Sequence, residues 1–269
     1  MKILVIGDPH GYNKYKESVL KQADLILVTG DLGKADLARK WYFDNLKRKA
    51  KGLEELEKGA KQVRAIHMEV HNSTINLLNK LRKFAPVYTL QGNVGIATLK
   101  QVKEDKEEYG IKIPCTRKMV DKMKNVSLVK NRLRIINNLR IGFLEYFVDT
   151  NWVQEFKPKD YNEKLREAKK ETDKAKRILR RFGKVDILIC HQPPYGFLDK
   201  VSSKYNPPKN WIGKHAGSKV ILDYIKKKQP RYVFCGHIHE AKGKAKIGKT
   251  EVYNVGHSGD YVLLDIDNV

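Results

Sequence analysis

Five short apolar runs, each ending in a polar tip, constrain this chain more than any other feature. Residues 3–6 lead into Gly7, Asp8 and His10, and residues 25–28 into Thr29, Gly30 and Asp31. Residues 87–90 lead into Gln91, Gly92 and Asn93; residues 185–190 into His191; residues 232–235 into Gly236, His237 and His239. The runs are continuous rather than alternating, so they read as parallel strands covered on both faces. Helical patterns between them fit crossover connections, and the fold class is α/β. Ligands of open parallel sheets gather at the carboxyl ends of the strands, which is where all of these tips fall.

The tips supply two carboxylates, one amide and four imidazoles: Asp8, His10, Asp31, Asn93, His191, His237 and His239. Hard oxygens mixed with imidazole suit Mn, Fe, Zn, Co or Ni better than Ca or Mg alone. Each residue by itself has an ordinary role, since Asp31 can cap a helix and Asn93 can form a turn. It is the ordered set that points to a metal centre.

At 269 residues the chain is long enough for one large α/β domain. No linker or repeat divides it, and the expected organisation is one domain over 1–269 with helical insertions at about 34–84 and 157–184. Within the first insertion Val63, Ile66, Val70, Leu77, Leu78 and Leu81 form a helical stripe. The second carries 12 basic and 5 acidic residues and reads as an outer helix. Asn137-Asn138 marks a tight hairpin, and the glycine-punctuated stretch after 235 reads as antiparallel hairpins.

Lys and Arg number 54 against 31 Asp and Glu, a net charge of +23, which favours anionic partners and makes nucleic acid a candidate. Three cysteines, Cys115, Cys190 and Cys235, do not make a disulfide framework, so a reducing, cytoplasmic setting is expected. No apolar run approaches the roughly 18 residues of a membrane span, and the amino terminus reads as a strand rather than a signal peptide.

Taken together, GDPH at 7–10, GD at 30–31, GN at 92–93, His191 and GHIH at 236–239 resemble the signature of the calcineurin-like metallophosphoesterases, and in particular their small prokaryotic members. GSKVILDYI, CGHIHEAKG and NVGHSG extend the similarity to the carboxyl-terminal part. The resemblance implies a four-layered αββα sandwich with two mixed β-sheets flanked by helices, holding two divalent metal ions, Mn foremost. Carried over by position, Asp8, His10, Asp31 and His239 would bind one ion. Asp31, Asn93, His191 and His237 would bind the other, with Asp31 shared. A hydroxide between the ions would attack the phosphorus of a phosphate ester, and Asn93 would also face the phosphoryl group as a catalytic residue.

The family pattern places a histidine after Asn93, where this chain has Val94. A positioned acid is worth about 100- to 10,000-fold, so its loss matters most for poor leaving groups. The expectation is a phosphohydrolase favouring phosphodiester or nucleotide-type substrates. His71 and His215 are the candidates for a replacement acid, beside His67 and His257. Tyr195, Phe197, Tyr205 and Trp211 lie between candidate ligands, where rings pack a long loop or stack on a base. Two other functions compete: a nuclease acting on DNA or RNA, and a non-catalytic metal-binding scaffold.

Overall fold

The structure, a computed structural model, describes residues 1–266. Its strands are β1 Lys2–Ile6, β2 Leu25–Val28, β3 Val87–Thr89, β4 Val126–Leu128, β5 Arg132–Ile136, β6 Leu139–Leu144, β7 Ile187–Cys190, β8 Tyr232–Cys235, β9 Gly243–Ile247, β10 Thr250–Asn254 and β11 Tyr261–Asp265. The helices are α1 Glu17–Leu20, α2 Asp36–Ala50, α3 Ala60–Leu81, α4 Leu99–Tyr109, α5 Thr116–Asp121, α6 Thr150–Phe156, α7 Tyr161–Phe182 and α8 Lys219–Lys228. One sheet runs β11-β1-β2-β3-β4 and the other β5-β6-β7-β8-β10-β9. Both are mixed: β1 to β4 are parallel with β11 antiparallel, while β6, β7, β8 and β10 are parallel with antiparallel strands at the two edges.

Strand periodicity explains the layering. In β1 and β2, Ile3, Val5, Leu25 and Leu27 point to one face and join Ile141, Phe143, Ile187, Ile189 and Phe234 of the second sheet in a shared core. Leu4, Ile6, Ile26 and Val28 point the other way, onto Leu77, Leu78 and Leu81 of α3. On the second sheet Leu188, Cys190, Val233 and Cys235 pack outward on Ile178, Leu179 and Phe182 of α7 and Ile221 and Ile225 of α8. Helix, sheet, sheet and helix therefore stack as the expected four-layered sandwich. Leu77, Leu78 and Leu81 are fully buried, each contributing about 2 kcal/mol.

The stripe on α3 faces inward as its spacing requires, with Ile66 half-buried at the margin. Asn137 and Asn138 both adopt positive φ and close the β5–β6 hairpin, as their sequence predicts. The end of the chain departs from a run of hairpins. Gly248 closes β9 onto β10, but β10 pairs parallel with β8, and β11 crosses to the other sheet to pair antiparallel with β1. The β10–β11 link thus spans the carboxyl-terminal edges of both sheets. Its passage is fixed where Gly7 N–H donates to the Asp260 carbonyl at 3.1 Å and Ser258 N–H to the Asp8 carbonyl at 3.1 Å.

Candidate metal centre

All seven donors come together where the two sheets meet. His10 Nε2 and His239 Nε2 lie 3.2 Å apart, with Asp8 Oδ2 3.5 Å from His239 Nε2 and Asp31 Oδ2 3.7 Å from His10 Nε2. On the other flank His191 Nε2 is 2.7 Å from Asn93 Oδ1 and 3.6 Å from Asp31 Oδ2, and His237 Nδ1 is 2.9 Å from Asn93 Oδ1. Asp8, His10 and His239 form one compact group of ligand atoms and Asp8, Asp31 and His191 another. Asp31 Oδ2 reaches a histidine of each flank, while Asp8 belongs to both compact groups.

Local sequence makes this convergence possible. A Cβ on Gly92 would strike the Asp31 carboxylate and His191 Cε1, and one on Gly236 would strike the Asp8 carboxylate, so both positions require glycine. His10, Asp31 and His237 sit at φ of 44°, 42° and 64°. Backbone in this region costs about 1–3 kcal/mol per residue and persists where surrounding contacts enforce it. Those contacts are present: His10 N–H donates to the Asp31 carbonyl, Val94 N–H to Asp31 Oδ1 at 2.7 Å, and His237 N–H to Asp8 Oδ2. The Thr29 hydroxyl donates to Asp8 Oδ1 at 2.6 Å.

The electrostatics fit a divalent cation. Asp8 and Asp31 are buried, and among the described residues their ion-pair partners are all histidines, with no lysine or arginine against either carboxylate. Buried carboxylates need a counter-charge. Burial alone would raise the Asp8 carboxyl; the charges of His191 and His239 and a hydrogen bond from His239 outweigh it and hold Asp8 far below the usual carboxylate range. Burial lowers His10 against the pull of Asp31 and Asp8. Burial, reinforced by His191, takes His237 down to about 3, so it presents a neutral ring. For His191 burial pulls down, but Asp31 and Asp8 prevail and raise it. His191 Nδ1–H donates to the Thr29 carbonyl at 3.1 Å, leaving Nε2 as the free donor atom, the usual tautomer of a ligating histidine. Donors about 2.1 Å from a common cation lie about 3.0–3.4 Å from one another, close to the spacings seen here. His10 Nδ1 is buried without a partner of its own.

The other sequence candidates separate clearly. His71 is buried on α3 with Nδ1 2.9 Å from Thr116 Oγ1, and His215 Nδ1 donates to buried Asp199 at 2.7 Å. His67 pairs with Asp105 at 2.9 Å. Among the described residues no hydrogen bond, ion pair or ring contact joins these three to the seven donors. His257 is different: carried by the β10–β11 link, its ring stacks on His239 at 4.4 Å, and its Nε2 is 2.7 Å from the Tyr205 hydroxyl. Of the loop aromatics, Trp211 packs on Trp152 and Phe156, Phe197 joins the core under the second sheet, and Tyr195 lies against His215. Tyr205 alone reaches the donors, edge-on to His239 at 6.2 Å.

Sequence reasoning missed Tyr146. Its ring lies 5.1 Å from His237 and 5.8 Å from His191, and burial pushes its hydroxyl up to about 12. It stands two residues beyond β6, a strand-end position like the other tips, but only the pairing of β6 with β7 carries it to His191 and His237.

The model of the family described as calcineurin-like phosphoesterase matches residues 1–241. The chain belongs to that family. The family is one of dimetal-dependent phosphoesterases. Metallophosphoesterase domain-containing protein 1 of Homo sapiens is 39% identical over 71 residues, 26% of this chain, and the Mus musculus protein matches equally. The matched stretch spans 19% of those relatives' length. One solved structure overlays 98% of this chain and 94% of its own with a TM-score of 0.55 at 17% identity, a likeness of fold. A phosphopantetheinyl hydrolase from Mycobacterium tuberculosis overlays 96% of this chain and 90% of its own at 13% identity and a TM-score of 0.48. No helix among the described residues is long and apolar enough to cross a membrane.

Proposed function

We propose that this calcineurin-like phosphoesterase hydrolyses phosphodiester or nucleotide-type substrates through two divalent cations, Mn foremost, held by Asp8, His10, Asp31, Asn93, His191, His237 and His239. The observation that carries this reading is Asp31 Oδ2, buried and within 3.7 Å of histidines on both flanks, where a carboxylate can be shared. Cations bound there would activate water and neutralise phosphoryl charge. The chain's own residues do the rest. Thr29 and the His237 amide fix Asp8, the Val94 amide fixes Asp31, and the Thr29 carbonyl fixes the His191 ring, so the donors are oriented before a substrate arrives. The Asn93 side chain stands between His191 and His237, where its amide can also face a phosphoryl oxygen.

At position 94 the chain offers a backbone N–H that is already committed to Asp31. That arrangement supports a preference for leaving groups of low pKa, which depart without a proton donor. We take residues 1–269 as one functional unit, because both sheets contribute donors to the same pocket. A panel of Mn, Fe, Zn, Ni and Co against aryl diesters, nucleotides and alkyl monoesters tests the reading. Aryl diesters should turn over on the order of 100-fold faster than alkyl monoesters; equal rates would overturn it.

A further inference from the structure

Outside the metal centre the most pronounced feature is a one-sided charge pattern on α7 and α8. All five acidic residues between 157 and 184 precede residue 174, and the stretch that follows carries Lys174, Lys176, Arg177, Arg180, Arg181 and Lys184 with no acid. All six are exposed. Lys226, Lys227, Lys228 and Arg231 continue the patch from the end of α8. Between the helices lies a groove of about 290 Å³, floored by Leu179 and Tyr224 and rimmed by Lys176, Arg180, Lys227 and Lys228, with Asp223 its one acid.

Ordinary explanations fall short. A helix dipole favours cations only in the last turn, which accounts for Arg180, Arg181 and the α8 lysines but not for Lys174, Lys176 and Arg177. Earlier on α7, Lys164 pairs with Asp160 and Glu167 in the usual manner of a solvated face. Arg177, Arg180 and Arg181 have no ion pair or side-chain hydrogen bond among the described residues; in their stretch only Lys176 pairs, with Asp173 at 3.8 Å. Unneutralised like charges so close together repel, and that repulsion is relieved by a bound polyanion.

We propose that this face of α7 and α8 docks a polynucleotide through its phosphate backbone, away from the metal centre. The topology separates the two. α7 ends at Phe182, just before β7 begins, and α8 at Lys228, just before β8 begins, whereas His191 and His237 follow the far ends of those strands. From Lys174 to Phe182, where α7 ends, the helix rises about 12 Å. Phosphates recur about every 3.4 Å along a strand of duplex, so the patch spans about four. Arginine, with its planar fork, suits phosphate oxygens. A membrane surface is the poorer match, since peripheral helices insert apolar side chains and no large hydrophobic residue is exposed on α7 or α8.

Fluorescence anisotropy of the full chain with labelled 20-nucleotide single-stranded RNA and DNA, at 50–250 mM salt, tests this. Wild-type affinity should fall with salt with a log–log slope of about −3 or steeper. The variant R177Q/R180Q/R181Q should bind at least about tenfold more weakly at 100 mM salt, with the slope reduced by about 2, because each single-strand phosphate contact contributes about 0.7. K100Q/K103Q/K106Q, which removes the same charge from α4, should bind like wild type. Turnover of an aryl diester should stay within twofold in both variants, a readout separate from binding. Equal losses in the two triple variants would mean that total charge alone binds, and unchanged binding in the arginine variant would mean that the patch is not used. Binding to phosphatidylserine vesicles but not to either polynucleotide would mean a membrane partner. Any of these three overturns the proposal.

Discussion

The two flanks of the proposed metal centre use similar donors in different surroundings. His191 and His237 lie against Tyr146, and His191 is wholly buried, its second nitrogen tied to the Thr29 carbonyl. On the other flank His239 carries the His257 ring stacked on it and the 41%-exposed Tyr205 beside it. One flank is anchored by the fully buried His191, and the other is finished by loops. The first should therefore govern stability as well as catalysis, and the second should govern access and leaving-group tolerance.

The shared residue gives the largest test. Asp31→Ala should lower aryl-diesterase kcat/KM by on the order of 1,000-fold or more and reduce the bound metal measured by elemental analysis. Retention of a tenth of the activity with full metal content would remove Asp31 from its bridging role. Next, His191→Ala and His10→Ala should each lose metal, but only His191→Ala should also lower the melting temperature of the metal-free protein, by about 5 °C, because it leaves buried partners unpaired. Equal melting temperatures would erase the distinction between the flanks.

Acid provides a third, smaller test. His10 is lowered by burial, His237 lies at about 3, and His257 lies at about 4 through burial and the neighbouring charges of His239 and His10. Each stays neutral in the fold while the unfolded chain protonates it below about 6.5, so the unfolded state binds more protons and stability rises with pH. The contribution of these three histidines to the stability of metal-free protein should be complete above about pH 6.5 and be lost as the pH falls toward 4, by of order 1 kcal/mol per pH unit. His191, which is raised, acts on the other side: its stabilisation is complete below about pH 6.5 and fades as the pH rises through its folded value. A melting temperature that is flat or rising across that range would contradict the neutral-histidine pocket. The smallest effect belongs to the rim: Tyr205→Phe removes one hydrogen bond to His257, worth about 1 kcal/mol, and should change kcat/KM by about fivefold at most, with no loss of metal.

Much of this could be read from the residues. The seven donors were legible because each lies within a few residues of a continuous apolar run, and a parallel sheet sends all such tips to one edge. Glycines at 92 and 236 stand inside those motifs, although the carboxylates they make room for are visible only in three dimensions. The histidines outside the motifs were not legible. His67 and His71 share a helix face and His215 follows a strand-end loop, yet each is held by its own partner, Asp105, Thr116 or Asp199.

The sequence by itself determined the order of strands and tips and the donor chemistry of the pocket, because those follow from continuous apolar runs and from residue type. Only the tertiary structure decided which further side chains stand beside the donors. His257 arrives there because the β10–β11 link crosses from one sheet to the other over Asp8, and Tyr146 because β6 lies next to β7. Both depend on strand pairing between distant segments, which local pattern does not encode.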